Sequence, residues 1–335
     1  MEAAEATKNA LECVLEAEKD ENITIFCDDE KLEVGKAFAT GAIRLGLRTR
    51  LNVLKTEPDK FRKEIPSEAM EVLKNTPAIY VNVLRGVREE APFRIKLIQL
   101  QTKERKARLG HCPGITMDML TEGALAFAAD EHLKMQTSAR SLMNALHHTI
   151  QIEITNPAGT ELSLRVDGRS FFTDTVIDRK AMKWMNLPTG EVLVAPVEDS
   201  LTGELACDMA IGGVGPIETP VVLTVRNGRV QESRCKNARI LKRVKDSLST
   251  DGNASIVGEF AFGINPKARF TDEFLEAEKI LGTIHIAFGN NSDFPGGQNP
   301  SKNHLDFLVS RPTVEVLNKD SSRQNILSKG ILSLH

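Results

Sequence analysis

The chain has 335 residues, 27% of them charged, and its formal net charge is −3. A chain of this length is long for one domain and comfortable for two. The small net charge, together with a single tryptophan and a single tyrosine, gives no basis for nucleic acid or an anionic membrane as a partner.

The five cysteines lie far apart in the sequence, are odd in number and include no Cys-x-x-Cys pair. This spacing argues against a disulfide framework or a thiolate zinc site and favours a reducing compartment. The N-terminus is acidic and amphipathic, unlike a signal peptide, and no apolar run is long enough to span a bilayer. We therefore expect a soluble, cytoplasmic protein.

Strands alternate with helices over the first half of the chain. The apolar spacing predicts strands at residues 23–27, 49–54, 77–84 and 111–114, and helices at residues 3–20, 33–45, 67–74, 91–108, 117–128 and 131–146. This alternation implies parallel strands joined by right-handed crossovers, so we expect a Rossmann-like, three-layer α/β domain over residues 1–148. No Gly-x-Gly-x-x-Gly motif follows these strands, which argues against a nicotinamide cofactor.

The pattern changes to period-two alternation after residue 148. It predicts strands at residues 150–154, 162–166, 191–195, 205–211 and 221–225, with helices at residues 238–248 and 272–281. Turn sequences at 156–159 and 227–228 indicate antiparallel hairpins. We expect residues 149–335 to form an α+β domain, mainly of antiparallel strands.

The segment Asn303-His304-Leu305-Asp306 is the first candidate for a metal site. Leu305 and the apolar residues at 307–309 predict a strand, in which residues two apart point to the same side. His304 and Asp306 would then point together, away from Leu305, and an imidazole beside a carboxylate can bind one divalent cation. A solvated pair at a strand edge is the alternative.

Three more polar residues lie in strongly apolar stretches: Glu191, Glu259 and His285. A carboxylate in a buried strand is costly unless it is paired, hydrogen-bonded or bound to a cation. Glu259 could instead face solvent or pair with an arginine such as Arg269. His285 could be a core histidine with its hydrogen bonds satisfied, and Glu191 could be a charged strand start.

Together the five residues offer three carboxylates and two imidazoles, and no thiolate. This ligand set suits Zn, Co, Mn, Mg or Fe in a catalytic site. Three carboxylates exceed what one zinc ion usually takes, whereas two cations about 3.5–4 Å apart with one bridging carboxylate would use all of them.

The second half of the chain resembles the thermophilic metallo-aminopeptidase family, the leucyl aminopeptidases of the aminopeptidase T and aminopeptidase S type. The matching segments are Leu187–Val192 with Ala195-Pro196, Gly258-Glu259 with Gly263–Pro266, Glu278-Lys279 with Gly282–Gly289, and Asn303–Asp306. The resemblance implies an α/β domain followed by a domain with a two-metal site, a homodimer, and a peptide or small-molecule substrate. By position, it implies as metal ligands Glu191, Glu259, His285, His304 and Asp306.

The reaction that this resemblance implies is hydrolysis of an N-terminal peptide bond by a water that two metals activate. One of Glu191 and Glu259 would bridge the metals or take the proton of the water. The sequence departs from the family in two respects. No tyrosine follows His285 within a few residues, because the only tyrosine is Tyr80, and the stretch between His285 and His304 is short.

Two alternative functions remain open. Ring-opening dioxygenases of dihydroxypyridines look like the same scaffold with one Fe(II), which His285, His304 and Asp306 would hold as a facial triad. A triad needs neither Glu191 nor Glu259, so both residues favour the hydrolase, whereas the missing tyrosine favours the dioxygenase. The other alternative is a binding protein without catalytic activity.

Overall fold

The computed structural model describes residues 1–104, 107–178 and 184–333. The chain divides into two compact units. The first comprises Met1–Gln136, Asp174–Thr189 and Lys267–Arg269, and the second comprises Thr137–Thr173, Gly190–Pro266 and Phe270–His335. The predicted domain boundary after residue 148 refers to domains that fold independently. The division of the chain into compact units does not test independent folding, so this boundary stays a prediction.

Helices and strands alternate first, and strands then follow one another. The helices are α1 (Ala3–Cys13), α2 (Leu32–Arg44), α3 (Ser67–Val72), α4 (Ala91–Gln99), α5 (Met117–Thr121), α6 (Ala129–Leu146), α7 (Ala238–Leu248) and α8 (Phe274–Ala277). The strands are β1 (Asn22–Asp28), β2 (Arg48–Leu54), β3 (Ile79–Leu84), β4 (Arg108–Pro113), β5 (Thr149–Thr155), β6 (Glu161–Arg165), β7 (Phe172–Thr173), β8 (Trp184–Asn186), β9 (Glu191–Val194), β10 (Thr202–Cys207), β11 (Ala210–Ile211), β12 (Gly215–Pro216), β13 (Val221–Arg226), β14 (Arg229–Arg234), β15 (Val257–Gly263), β16 (Ile284–Gly289), β17 (His304–Val309), β18 (Thr313–Asn318), β19 (Arg323–Ser328) and β20 (Ile331–Leu332).

The first unit contains a parallel sheet in the order β2-β1-β3-β4-β8. Successive residues of β1 face opposite sides, so that Ile25 packs in the core with α1 and α2, whereas Phe26 packs in a second core with α3 and α4. Because helices cover both faces of the sheet, the inner strand β3 is buried along its whole length, whereas the edge strand β2 carries exposed polar residues. This arrangement confirms the predicted three-layer, Rossmann-like α/β architecture.

The short strand β8 was not predicted. It pairs in parallel with β4 and extends the sheet of the first unit after the chain has already formed β5–β7. A strand of three residues carries too few positions for a period-two pattern to be recognised.

Several predicted helices are shorter in the structure. The helix expected over residues 3–20 ends at Cys13, because Glu16 and Asp20 adopt left-handed backbone conformations with φ of 49° and 68°. The helix expected over residues 91–108 ends at Gln99 and continues as a π-helical turn over Leu100–Glu104, and residues 105–106 lie outside the described residues. The helix expected over 117–128 ends at Thr121.

The helix expected over residues 272–281 is reduced to Phe274–Ala277. The helix ends early because the backbone of Asn265 forms hydrogen bonds with residues that would otherwise continue it. Asn265 N–H donates to the Lys279 carbonyl, and Leu281 N–H donates to the Asn265 carbonyl. These bonds replace the intrahelical ones with contacts to the residues that follow β15.

The second unit contains two antiparallel sheets. One has the order β14-β13-β10-β6-β5-β18-β19-β20, and the other has the order β12-β11-β17-β16-β15-β9-β7. The predicted, mainly antiparallel character of this part is confirmed. Within the described ranges, no helix combines the length and the apolar character needed to cross a bilayer.

Candidate metal centre

Four neighbouring strands of the seven-stranded sheet carry all five predicted site residues. The strands β9, β15, β16 and β17 lie side by side in this order. Glu191 begins β9, Glu259 lies in β15, His285 in β16, and His304 and Asp306 in β17.

The strand register places these side chains on one face of the sheet. Glu259 pairs with Ala287, and Ala287 pairs with Asp306 on its other side. Paired residues of adjacent antiparallel strands point to the same side, and so do residues two apart along one strand. His285 and His304 therefore share the face of Ala287, and the same reasoning through the Gly263–Glu191 pair adds Glu191.

Small residues lie between the site residues on this face. Ala261 pairs with His285, Ala287 lies between Glu259 and Asp306, Gly263 pairs with Glu191, and Gly289 pairs with His304. Because none of these neighbours has a side chain longer than a methyl group, the imidazoles and carboxylates can converge over the sheet.

The opposite face of the same strands is apolar. Phe260 and Phe262 of β15 contact each other edge to face with ring centroids 4.8 Å apart, and Phe288 and Phe307 of the next two strands do the same at 5.8 Å. All four rings are buried. Burial of this face fixes the register, because a slip by one residue would exchange the two faces and place carboxylates and imidazoles in the apolar core.

Glu259 is the residue shared by both histidines. Its Oε1 lies 3.2 Å from His285 Nε2, and its Oε2 lies 3.1 Å from His304 Nε2. His285 Nε2 is also 3.6 Å from Glu191 Oε1, and His304 Nε2 is 3.3 Å from Asp306 Oδ1. The alternative of an ion pair between Glu259 and Arg269 is not what the structure shows, because Arg269 lies beside Glu122 in the first unit.

Overlapping sets of three ligand atoms lie within 4.8 Å of one another in the described part of the chain. Glu259, His304 and Asp306 form one set, which we call position A, and Glu191, Glu259 and His285 form another, which we call position B. A further set consists of Glu278, His285 and Asp306. Carboxylate oxygens and imidazole nitrogens are the donors that divalent transition metals take in catalytic sites, so the residues present fit a metal ion.

Glu278 was missed as a candidate site residue from the sequence, although it belongs to a segment that carries the family resemblance. It follows the short helix α8 directly and has no alternating apolar residues around it. Lys279, the next residue, is almost fully buried, and its Nζ lies 2.6 Å from Glu191 Oε1 and 2.9 Å from Glu278 Oε1. The signal that could have revealed both residues is a pair of adjacent charged residues shortly before the buried strand β16.

The segment before β17 holds His304 in place. His304 Nδ1–H donates to the Asn290 carbonyl oxygen over 2.9 Å, which directs Nε2 at Glu259 and Asp306. The buried Asn303 side chain accepts a hydrogen bond from Ser247 Oγ at 2.6 Å and donates to the Phe288 carbonyl oxygen at 3.2 Å. The Asn303 side chain thereby anchors the backbone next to His304.

Burial and charge compete in setting the pKa values here. Burial lowers the pKa of His285, but the carboxylates of Glu191 and Glu259 outweigh it and raise the pKa to about 9. Burial also lowers the pKa of His304, but the carboxylates of Asp306 and Glu259 outweigh this effect, so the pKa of His304 is raised. Burial raises the pKa of Glu259, yet the hydrogen bonds from both histidines bring it below its ordinary value. Because a cation needs neutral imidazoles, metal binding must release protons.

Two solved structures share the fold over nearly the whole chain. AmpT from Thermus thermophilus is 17% identical, with a TM-score of 0.74 over 99% of this chain and 98% of AmpT. The 2,5-dihydroxypyridine dioxygenase from Pseudomonas putida KT2440 is 13% identical, with a TM-score of 0.73 over 99% of this chain and 97% of that one. No curated protein sequence matches the chain.

The cluster of carboxylates and imidazoles in the antiparallel unit is typical of metal-dependent enzymes. The family model for the thermophilic metalloproteases (M29) matches residues 124–331, which is more than half of the chain. The chain belongs to this family. The resemblance predicted from the sequence is thereby confirmed, and the enzyme is a hydrolase that uses divalent metal ions.

Proposed function

We propose that the protein is an aminopeptidase that removes the N-terminal residue of a peptide or a small amino-acid derivative. The observation that carries this proposal is the placement of Glu259, which presents one oxygen to each of two imidazoles. This is the arrangement expected of a carboxylate that two cations share, one in position A and one in position B.

We propose as metal ligands the five residues predicted from the sequence: Glu191, Glu259, His285, His304 and Asp306. Two divalent cations, drawn from Zn, Co, Mn and Mg, would polarise the scissile carbonyl and lower the pKa of the attacking water. Since both oxygens of Glu259 face imidazoles, Glu259 serves as the shared ligand. Glu191, which belongs to position B alone, is left to accept the proton of the water on its second oxygen.

Recognition of a free α-amine falls to an additional carboxylate. Glu278 is buried, lies in a ligand set with His285 and Asp306, and serves in none of the roles above. An ammonium group of the substrate beside this carboxylate would explain a preference for free N-termini over blocked ones.

The test is hydrolysis of amino-acid amides and short peptides after loading with each metal. We expect release of the N-terminal residue and no cleavage of N-acetylated peptides. Glu259→Gln keeps the shape of the side chain and removes its charge, so we expect kcat/KM to fall by more than about 100-fold and metal content to fall with it. Glu204→Gln, a change at an exposed glutamate on β10, is the matched control. Cleavage of blocked peptides as fast as free ones would contradict the aminopeptidase proposal.

The dioxygenase is the second candidate, and a specific observation favours it. The only tyrosine, Tyr80, lies in β3 of the first unit, so no tyrosine is available to the metal centre from the second unit. In this reading His285, His304 and Asp306 hold one Fe(II) with open positions for O₂ and substrate. Oxygen consumption with 2,5-dihydroxypyridine by the anaerobically iron-loaded protein, together with no peptide hydrolysis, would decide for it.

We also propose that the enzyme acts in the cytoplasm as a homodimer. Light scattering coupled to size-exclusion chromatography tests the assembly, and a mass equal to that of one chain would contradict it.

A further inference from the structure

Lys279 is a fully buried lysine within the proposed metal centre. Its side chain is 2% exposed, and its Nζ contacts Glu191 Oε1 and Glu278 Oε1. A buried ammonium is costly unless carboxylates compensate it, so these contacts are what allow the lysine to lie there.

The backbone fixes Lys279 at this place. The Lys279 carbonyl accepts from Asn265 N–H over 2.8 Å, and Lys279 N–H donates to the Glu276 carbonyl over 3.1 Å. Asn265 in turn follows β15 closely, and Ile264 N–H donates to the Gly190 carbonyl next to Glu191. The lysine is therefore held between β9 and β16, and its side chain does not reach the site from a loose surface segment.

The ammonium affects the two cation positions differently. Lys279 forms ion pairs with Glu191, a member of position B, and with Glu278, and neither of these residues belongs to position A. A divalent cation bound to a carboxylate oxygen lies about 2.0–2.2 Å from that oxygen. At Glu191 it would meet an ammonium already 2.6 Å from the same Oε1, and like charges at such range repel strongly.

We infer that Lys279 is a positioning residue that makes the two cation positions unequal. Position A binds its cation first and firmly. Position B takes a cation only when the Lys279 ammonium leaves Glu191, so the second cation binds in exchange for the lysine. This inference rests on the metal centre of the proposed function and adds to it an order of filling.

Metal titration of the protein tests this order without any activity measurement. We expect wild-type protein, loaded with Zn²⁺ and dialysed at pH 7.5, to retain one ion per chain by elemental analysis. Calorimetric titration of the chelator-treated protein should show two steps, the second at least about 10-fold weaker, because a neighbouring charge shifts such equilibria by 10- to 1000-fold. Two ions retained per chain, or two equal steps, would overturn the inference.

Lys279→Met removes the charge and keeps the length of the side chain. We expect it to retain two Zn²⁺ ions per chain, with the second step strengthened by at least about 10-fold. Lys242→Met, which removes an exposed ion pair with Asp246 on α7, should behave like wild type. A folded Lys279→Met variant whose second step is no tighter than that of wild type would overturn the inference, and the wild-type titration keeps it testable if the variant does not fold.

The outcomes separate this inference from the proposed function. Unequal steps in a protein that hydrolyses no peptide would leave the role of Lys279 standing and remove the aminopeptidase. Peptide hydrolysis by a protein with two equal metal-binding steps would support the aminopeptidase and remove the role of Lys279. A protein that binds no divalent cation would remove both.

Discussion

The raised pKa of His285 predicts how the stability of the metal-free protein depends on pH. Its pKa is about 9 in the folded chain and about 6.5 in an unfolded one. The folded state therefore binds the imidazolium proton more tightly, and the resulting stabilisation is complete below about pH 6.5 and is lost as pH rises through 9. The difference of about 2.5 units corresponds to about 3 kcal/mol, at about 1.4 kcal/mol per unit.

The measurement is the melting temperature of chelator-treated protein between pH 6 and pH 9.5. For a unit of this size, about 3 kcal/mol corresponds to a fall of roughly 6–12 °C as the pH rises. His285→Asn should lose the part of this fall that comes from His285, while His304, whose pKa is also raised, keeps its own part. His148→Asn, a change at an exposed histidine, should keep the whole fall. Excess Zn²⁺ should reverse the trend in wild-type protein, because the metal binds the neutral imidazole.

A melting temperature that is independent of pH in the metal-free wild type would refute this reasoning. So would an equal fall in wild type and His285→Asn, since the fall would then come from other groups. Either result would mean that His285 is not held as an imidazolium by Glu191 and Glu259.

Two further predictions concern residues that shape the metal centre. Ala287→Leu places a larger side chain between Glu259 and Asp306 on the site face. We expect overpacking to lower the free energy of unfolding by about 1–3 kcal/mol and Zn²⁺ retention to fall. Ala287→Gly, the control, should retain the metal. Asn303→Ala removes the amide that accepts from Ser247 and donates to Phe288. We expect a loss of about 1–3 kcal/mol in thermal unfolding and roughly 10- to 100-fold weaker Zn²⁺ binding by calorimetry, because His304 loses its support; unchanged binding would contradict that role.

The sequence predicted the type of each half through local periodicity, and the structure brings the five proposed ligands to one face of a sheet. The i, i+2 spacing of His304 and Asp306 needs only one strand, and the structure places both side chains on the same face. The convergence of Glu191 with the other residues depends on the order of four strands, which no local pattern states. The prediction that these residues converge came from chemical reasoning, because buried carboxylates and an imidazole in apolar strands need partners.

What the sequence could not predict depends on contacts between distant segments. Glu278 and Lys279 reach the site because Asn265 binds the backbone around them, which ends the predicted helix early. Likewise, β8 joins β4 through a pairing of three residues. Helix periodicity and strand alternation describe one segment at a time, so neither could reveal these features.

The alternation of the central strands has a practical consequence. Side chains for the metal and side chains for the core occupy alternate positions on β15, β16 and β17, so a shift of one residue between any two of these strands would scatter the ligands. The amount of bound metal in a refolded or redesigned sample thus serves as a gauge of whether the strands have paired in the native alignment. Circular dichroism cannot provide this, since a misaligned sheet would have the same secondary structure content.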